Sequence, residues 1–60
     1  MGINSIVNET TFITYARTNG CIVTITGNKI EVTDLENNKK ILERNQSAEY
    51  YREIAKLLIV

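Results

Sequence analysis

The middle of the chain alternates between apolar and polar positions. In CIVTIT (residues 21–26) and KIEVTDL (29–35) the two kinds trade places with a period of two, the mark of a strand with one covered face. The stretch before them, TFITYART (11–18), is just as rich in β-branched and aromatic residues. Asn19-Gly20 and Gly27-Asn28 separate the three runs, and both dipeptides belong to the vocabulary of two-residue hairpin loops. The pattern predicts a three-stranded antiparallel meander over residues 11–35.

Each turn fixes a register, so each tests the other. A loop at Asn19-Gly20 pairs Thr18 with Cys21, Ala16 with Val23 and Thr14 with Ile25. A loop at Gly27-Asn28 pairs Thr26 with Lys29, Ile25 with Ile30 and Val23 with Val32. Phe12, Thr14, Ala16, Val23, Ile25, Ile30 and Val32 then share one nearly pure hydrophobic face. Ile13, Tyr15, Arg17, Ile22, Thr24, Thr26, Lys29, Glu31 and Thr33 take the other. A one-residue slip in either turn mixes the faces.

The flanks are read more simply. GINSIV (2–7) reads as a short strand or an irregular arm, with the strand favoured, and ENNKKILER (36–44) predicts a turn at Asn37-Asn38 followed by a strand at 40–44. Direct pairing across that turn would set Asp34 beside Ile41 on the core face. A longer loop or an edge position is therefore expected.

Beyond Arg44 the period changes to that of a helix. Asn45 or Ser47 can cap a helix running from Ala48 to the end, with Glu49 in the first turn where the dipole favours an acid. Glu49, Arg52, Glu53 and Lys56 fall within roughly 100° of arc, whereas Leu57, Tyr50, Ile54, Leu58, Tyr51, Ala55 and Ile59 spread over about 200°. The fold class is α+β: an antiparallel β-meander of three to five strands with one C-terminal α-helix packed on one sheet face, all in a single small domain over 1–60. Tyr51, Ile54 and Leu58 are expected to face the home sheet. So wide an apolar arc asks for a second neighbour, and Tyr50, Leu57 and Ile59 are the expected interface of a homodimer.

Length supports that expectation. A chain of 60 residues buries only about 60% of its unfolded surface and needs a staple. Cys21 is the lone cysteine and histidine is absent, so an internal disulfide is excluded and no common structural metal site fits. Oligomerisation is the staple left over.

Charge and chemistry narrow the function classes. Seven Lys and Arg balance seven Asp and Glu, which removes the electrostatic footprint of a nucleic-acid binder. The usual general base is missing with histidine. Glu31 and Asp34 alternate to opposite faces, and Glu49 and Glu53 share their helix face with Arg52 and Lys56. Cys21 reads as a small buried hydrophobe, and Gly2, Gly20 and Gly27 are too scattered for a phosphate loop. An enzyme is not expected, nor a cofactor or a metal.

The first ten residues lack a basic and apolar leader, and no run approaches a membrane span of about 18 apolar residues. Gly2 lacks the Ser or Thr that myristoylation wants, since Ile6 occupies that place. A cytoplasmic protein is expected, and the sequons at Asn8 and Asn45 are read as chance. Nine isoleucines and seven asparagines favour AT-rich codons, pointing to a low-GC bacterium or to a phage or other mobile element. What remains is contact. Ile13, Tyr15 and Ile22, bordered by Arg17 and Glu31, form an apolar island on the open sheet face, and tyrosine is enriched at binding hot spots. The expected function is a non-enzymatic binding or modulator protein acting through protein–protein contacts, as a homodimer. Alternatives are a small DNA- or RNA-binding regulator and a small-ligand binder at a dimer cleft.

Overall fold

The computed structural model describes residues 2–58, apart from the side chain of Leu58. A 3-10 turn at Ile3–Ser5 leads into helix α1 (Glu9–Thr18). Strands β1 (Ile22–Thr26), β2 (Lys29–Thr33) and β3 (Lys39–Glu43) follow, then helix α2 (Ala48–Leu58). The strands form one antiparallel sheet in the order β1-β2-β3. The fold is α+β, a meander with a C-terminal helix, as the pattern predicts, but the meander starts one element later.

The β1–β2 hairpin has the register set by Gly27-Asn28: Thr26 opposes Lys29, Ile25 opposes Ile30 and Val23 opposes Val32. Gly27 takes φ +57, the positive angle that the first position of a type II′ turn requires. Strand β3 pairs Glu31 with Ile41 and Ile30 with Leu42, so it is an edge strand reached by a longer loop. Asp34 builds that loop rather than entering the core. Its Oδ1 accepts the Glu36 and Asn38 amides, both at 2.9 Å, while Asn37 bends the chain at φ +66.

The expected strand over 11–18 is instead α1, and the hairpin turn expected at Asn19-Gly20 is the end of that helix. Both termini are chemically specified. Asn8 Oδ1 accepts the Thr11 amide at 2.9 Å, and Thr11 Oγ1 accepts the Asn8 amide at 3.0 Å. This reciprocal capping box satisfies two N-terminal donors. Glu9 sits in the first turn and Arg17 in the last, each complementing the helix dipole. At the far end Gly20 adopts φ +91, its amide donates to Arg17 O, and the Cys21 amide reaches back to Ala16 O. That pair of bonds is a Schellman motif. An Asn-Gly step supplies the same positive φ to a hairpin or to a helix end, and here the caps decide. The short strand expected at 2–7 is likewise replaced by the 3-10 turn at Ile3–Ser5.

Helix α2 begins as expected, with Ser47 Oγ accepting the Tyr50 amide at 3.3 Å. Its inner face meets α1 as well as the sheet side of the core. Phe12 and Tyr51 stack with centroids 4.9 Å apart, and the Tyr51 hydroxyl accepts the Asn45 amide at 2.9 Å. Arg52 Nε donates to Ile6 O at 2.9 Å, fixing the N-terminal arm against the helix. Part of the wide apolar arc of α2 is therefore used within the chain.

One core results. Ile6, Phe12, Ala16, Cys21, Val23, Ile30, Val32, Tyr51 and Ala55 form a single buried cluster. Both helices thus cover the same face of the sheet and leave the other face open.

Candidate functional site

The open face is laid out by strand parity. Across the three strands it presents the rows Ile22–Thr33–Lys39, Thr24–Glu31–Ile41 and Thr26–Lys29–Glu43. Ile22 is 66% exposed and Ile41 69%, one on each outer strand. Leu35, just beyond β2, is still more open and rests against Gly20. Thr33, by contrast, is buried at the end of its strand.

The charges on this face cancel in pairs. Lys29 Nζ meets Glu43 Oε1 at 3.0 Å directly across β2 and β3, and Lys39 Nζ meets Glu31 Oε1 at 3.1 Å on the diagonal. Such exposed pairs contribute little stability. Their effect is on recognition, since they leave a neutral surface with aliphatic side chains at its margins. A third pair braces the scaffold: Arg44 Nε holds Glu9 Oε2 at 3.0 Å and its Nη1 donates to Gly27 O at 3.2 Å. The first turn of α1 is thereby tied to the β1–β2 turn.

Of the residues expected on one binding face, Ile22 and Glu31 are there and Ile13, Tyr15 and Arg17 are not. The last three lie on α1, so the apolar island built on Tyr15 does not form on the sheet. Ile13 and Tyr15 are partly buried and pack against the core. Arg17 reaches the sheet from the other side, donating from Nη2 to Val23 O at 3.1 Å. The sequence reading missed Ile41, whose place follows once β3 is registered against Glu31. It also missed Leu35, which the loop exposes.

The expected dimer residues divide similarly. Tyr50 is half-buried, packs against the core and meets Tyr51 edge-on at 5.2 Å. Leu57 is 77% exposed. Ile59 lies outside the described residues.

The groups that could do chemistry are quiet. Cys21 is buried, and burial, with the charge of Asp34 adding, pushes its thiol above the ordinary 9.0. It is a neutral thiol at physiological pH and a poor nucleophile. Among the described residues no three Cys, Asp or Glu side chains gather as a metal site requires. No buried side-chain nitrogen or oxygen among them is left without a hydrogen-bond partner. No helix among them is long and apolar enough to cross a membrane. The chain matches no protein-family model, no curated protein and no solved structure.

Proposed function

We propose that this chain is a non-enzymatic binding protein that works as a homodimer and modulates another macromolecule through protein–protein contacts. The observation that carries the reading is the open sheet face, where Ile22 and Ile41 stand two-thirds exposed around ion-paired lysines and glutamates. A braced sheet costs little ordering entropy on binding, and exposed aliphatics on a neutral field suit a protein partner better than a phosphate backbone. The rows of this face contain no aromatic side chain on which a base could stack. The buried free cysteine suits a reducing cytoplasm, and the AT-rich codon vocabulary suits a low-GC bacterium, its phage or a mobile element.

The test is capture from lysate of the source cell on immobilised protein, comparing wild type with the double variant Ile22→Lys, Ile41→Lys. The expected result is a partner retained by wild type and by Lys56→Ala but lost with the double variant. Retention that ignores the double variant would overturn the reading, as would tight, salt-sensitive binding to DNA or RNA oligomers.

A further inference from the structure

The two margins of the sheet are defended differently. Strand β3 places Lys39, Lys40 and Glu43 among its five residues, the kind of charged guard that keeps an edge strand from pairing with other chains. Strand β1 reads Ile22-Val23-Thr24-Ile25-Thr26, with no charge, glycine or proline. Every one of its residues is β-branched, and among the described residues it has a neighbour strand on one side only.

The free side of β1 can be assigned group by group. In a two-residue hairpin the closing pair, here Thr26 and Lys29, exchanges both hydrogen bonds. Thr24 and Ile22 repeat that inward pattern, which turns the main-chain groups of Val23 and Ile25 outward. The Arg17 guanidinium contacting Val23 O at 3.1 Å is a donor arriving from that outward side. Of the two, Ile25 is 44% exposed, whereas Val23 is buried with its carbonyl held by Arg17, so the margin is open at its Ile25 end.

We infer that β1 pairs antiparallel with β1 of a second copy of this chain, about a two-fold axis through Thr24, joining two three-stranded sheets into one of six strands. The inference rests on the homodimer proposed above and supplies its interface. In this register Val23 opposes the partner's Ile25, and each such pair exchanges two main-chain hydrogen bonds. Thr24 meets the partner's Thr24 on the open face, a favourable cross-strand pair, and Ile22 lies opposite the partner's Thr26. Neither strand carries a charged residue, so none of the pairs in this register sets like charges together. The axis also covers the exposed Ile25 of both copies at once. The open faces of the two copies run on as one continuous surface, doubling the partner-binding area.

Arg17 restrains this pairing. It occupies the Val23 carbonyl to which the partner's Ile25 amide donates, and the axis brings the two Arg17 side chains toward each other.

Sedimentation equilibrium from low micromolar to near-millimolar protein tests the proposal, with far-UV circular dichroism checking each variant's fold. Ile25→Pro removes an outward amide without touching the β1–β2 ladder, and so deletes two of the four intermolecular bonds. It should weaken the dimer at least about tenfold. Thr24→Lys sets two ammonium groups face to face on the axis while offering Glu31 a partner within each chain, so it should dissociate the dimer with the fold intact. Mixing Thr24→Lys with Thr24→Glu should restore association as a heterodimer, and Arg17→Ala should tighten the wild-type dimer. Dimers of Ile25→Pro and Thr24→Lys as tight as wild type, with Leu57→Lys monomeric, would overturn this interface and leave the homodimer standing on α2. A wild type that stays monomeric throughout would overturn both.

Discussion

Replacing Asn8 with alanine tests the element that the residue pattern conceals. The substitution removes the Oδ1 that accepts the Thr11 amide at 2.9 Å and breaks the capping box at the start of α1. Loss of an N-cap side chain costs about 0.5–2 kcal/mol, typically near 1. For 60 residues the whole stability is of the order of 3–9 kcal/mol at roughly 0.05–0.15 per residue. One cap is thus a sizeable share. A loss of about 1 kcal/mol in a domain of this size lowers Tm by about 4–8 °C. Urea denaturation followed at 222 nm, with parallel thermal melts, reads both quantities. Asn8→Ser should recover most of the loss, because a serine oxygen accepts the same amide. A stability unchanged by Asn8→Ala, or a loss that serine fails to rescue, would refute the capped helix.

Gly20→Ala should cost about 1–2 kcal/mol because φ +91 is hostile to an L side chain; the contact with Leu35 Cδ2 at 2.6 Å adds little, since that exposed side chain can swing aside, and a melt unchanged from wild type would contradict the helix end. Burial raises the Tyr51 phenol above its ordinary 10.0 despite the bond from the Asn45 amide. The protonated phenol is the form the core accepts, so its contribution is complete below about pH 10 and is lost as pH rises through the higher folded value. The stability gap between wild type and Tyr51→Phe should accordingly narrow in an alkaline titration, and a gap that widens there would contradict the assignment. The Cys21 thiol should react with a thiol reagent far more slowly in the native protein than in urea, and comparable rates would show that the site is not buried.

What was legible in the residues, and what was not, follows from which interactions are local. The β1–β2 register was readable because Gly27-Asn28 fixes it and because Val23, Ile30 and Val32 alternate cleanly onto one face. Strand β3 and helix α2 were readable for similar reasons, and the Asp34 conflict correctly demanded a longer loop. Helix α1 was not. TFITYART carries strand-forming residues throughout, and Phe12 and Ala16 are compatible with both a period of two and the i, i+4 spacing of a helix. The deciding signals were short-range: Asn8 three residues before Thr11, Glu9 and Arg17 at opposite ends, and a glycine just past the Asn19 cap. In the bare sequence Asn8 reads as a sequon and Asn19-Gly20 as a hairpin turn.

The candidate site inherits that division. Ile22 and Glu31 were placed correctly because they sit on strands whose parity was known. Ile13, Tyr15 and Arg17 left the face when their segment became a helix. The same change explains α2, since one of its neighbours proved to be α1, and Leu57 is the exposed remnant of its apolar arc. It also revealed what no pattern shows, that an arginine read as a binding residue caps a carbonyl of the unguarded edge strand.

The proposed dimer depends on that edge pairing with its own copy. Amide hydrogen exchange by NMR at increasing protein concentration answers this residue by residue. Pairing through β1 predicts that the amide of Ile25, the exposed residue on that margin, gains protection in step with association, while Thr24, bonded inward, is protected at every concentration. An Ile25 amide that stays open while the protein associates, or protection that grows on α2 instead, would contradict it.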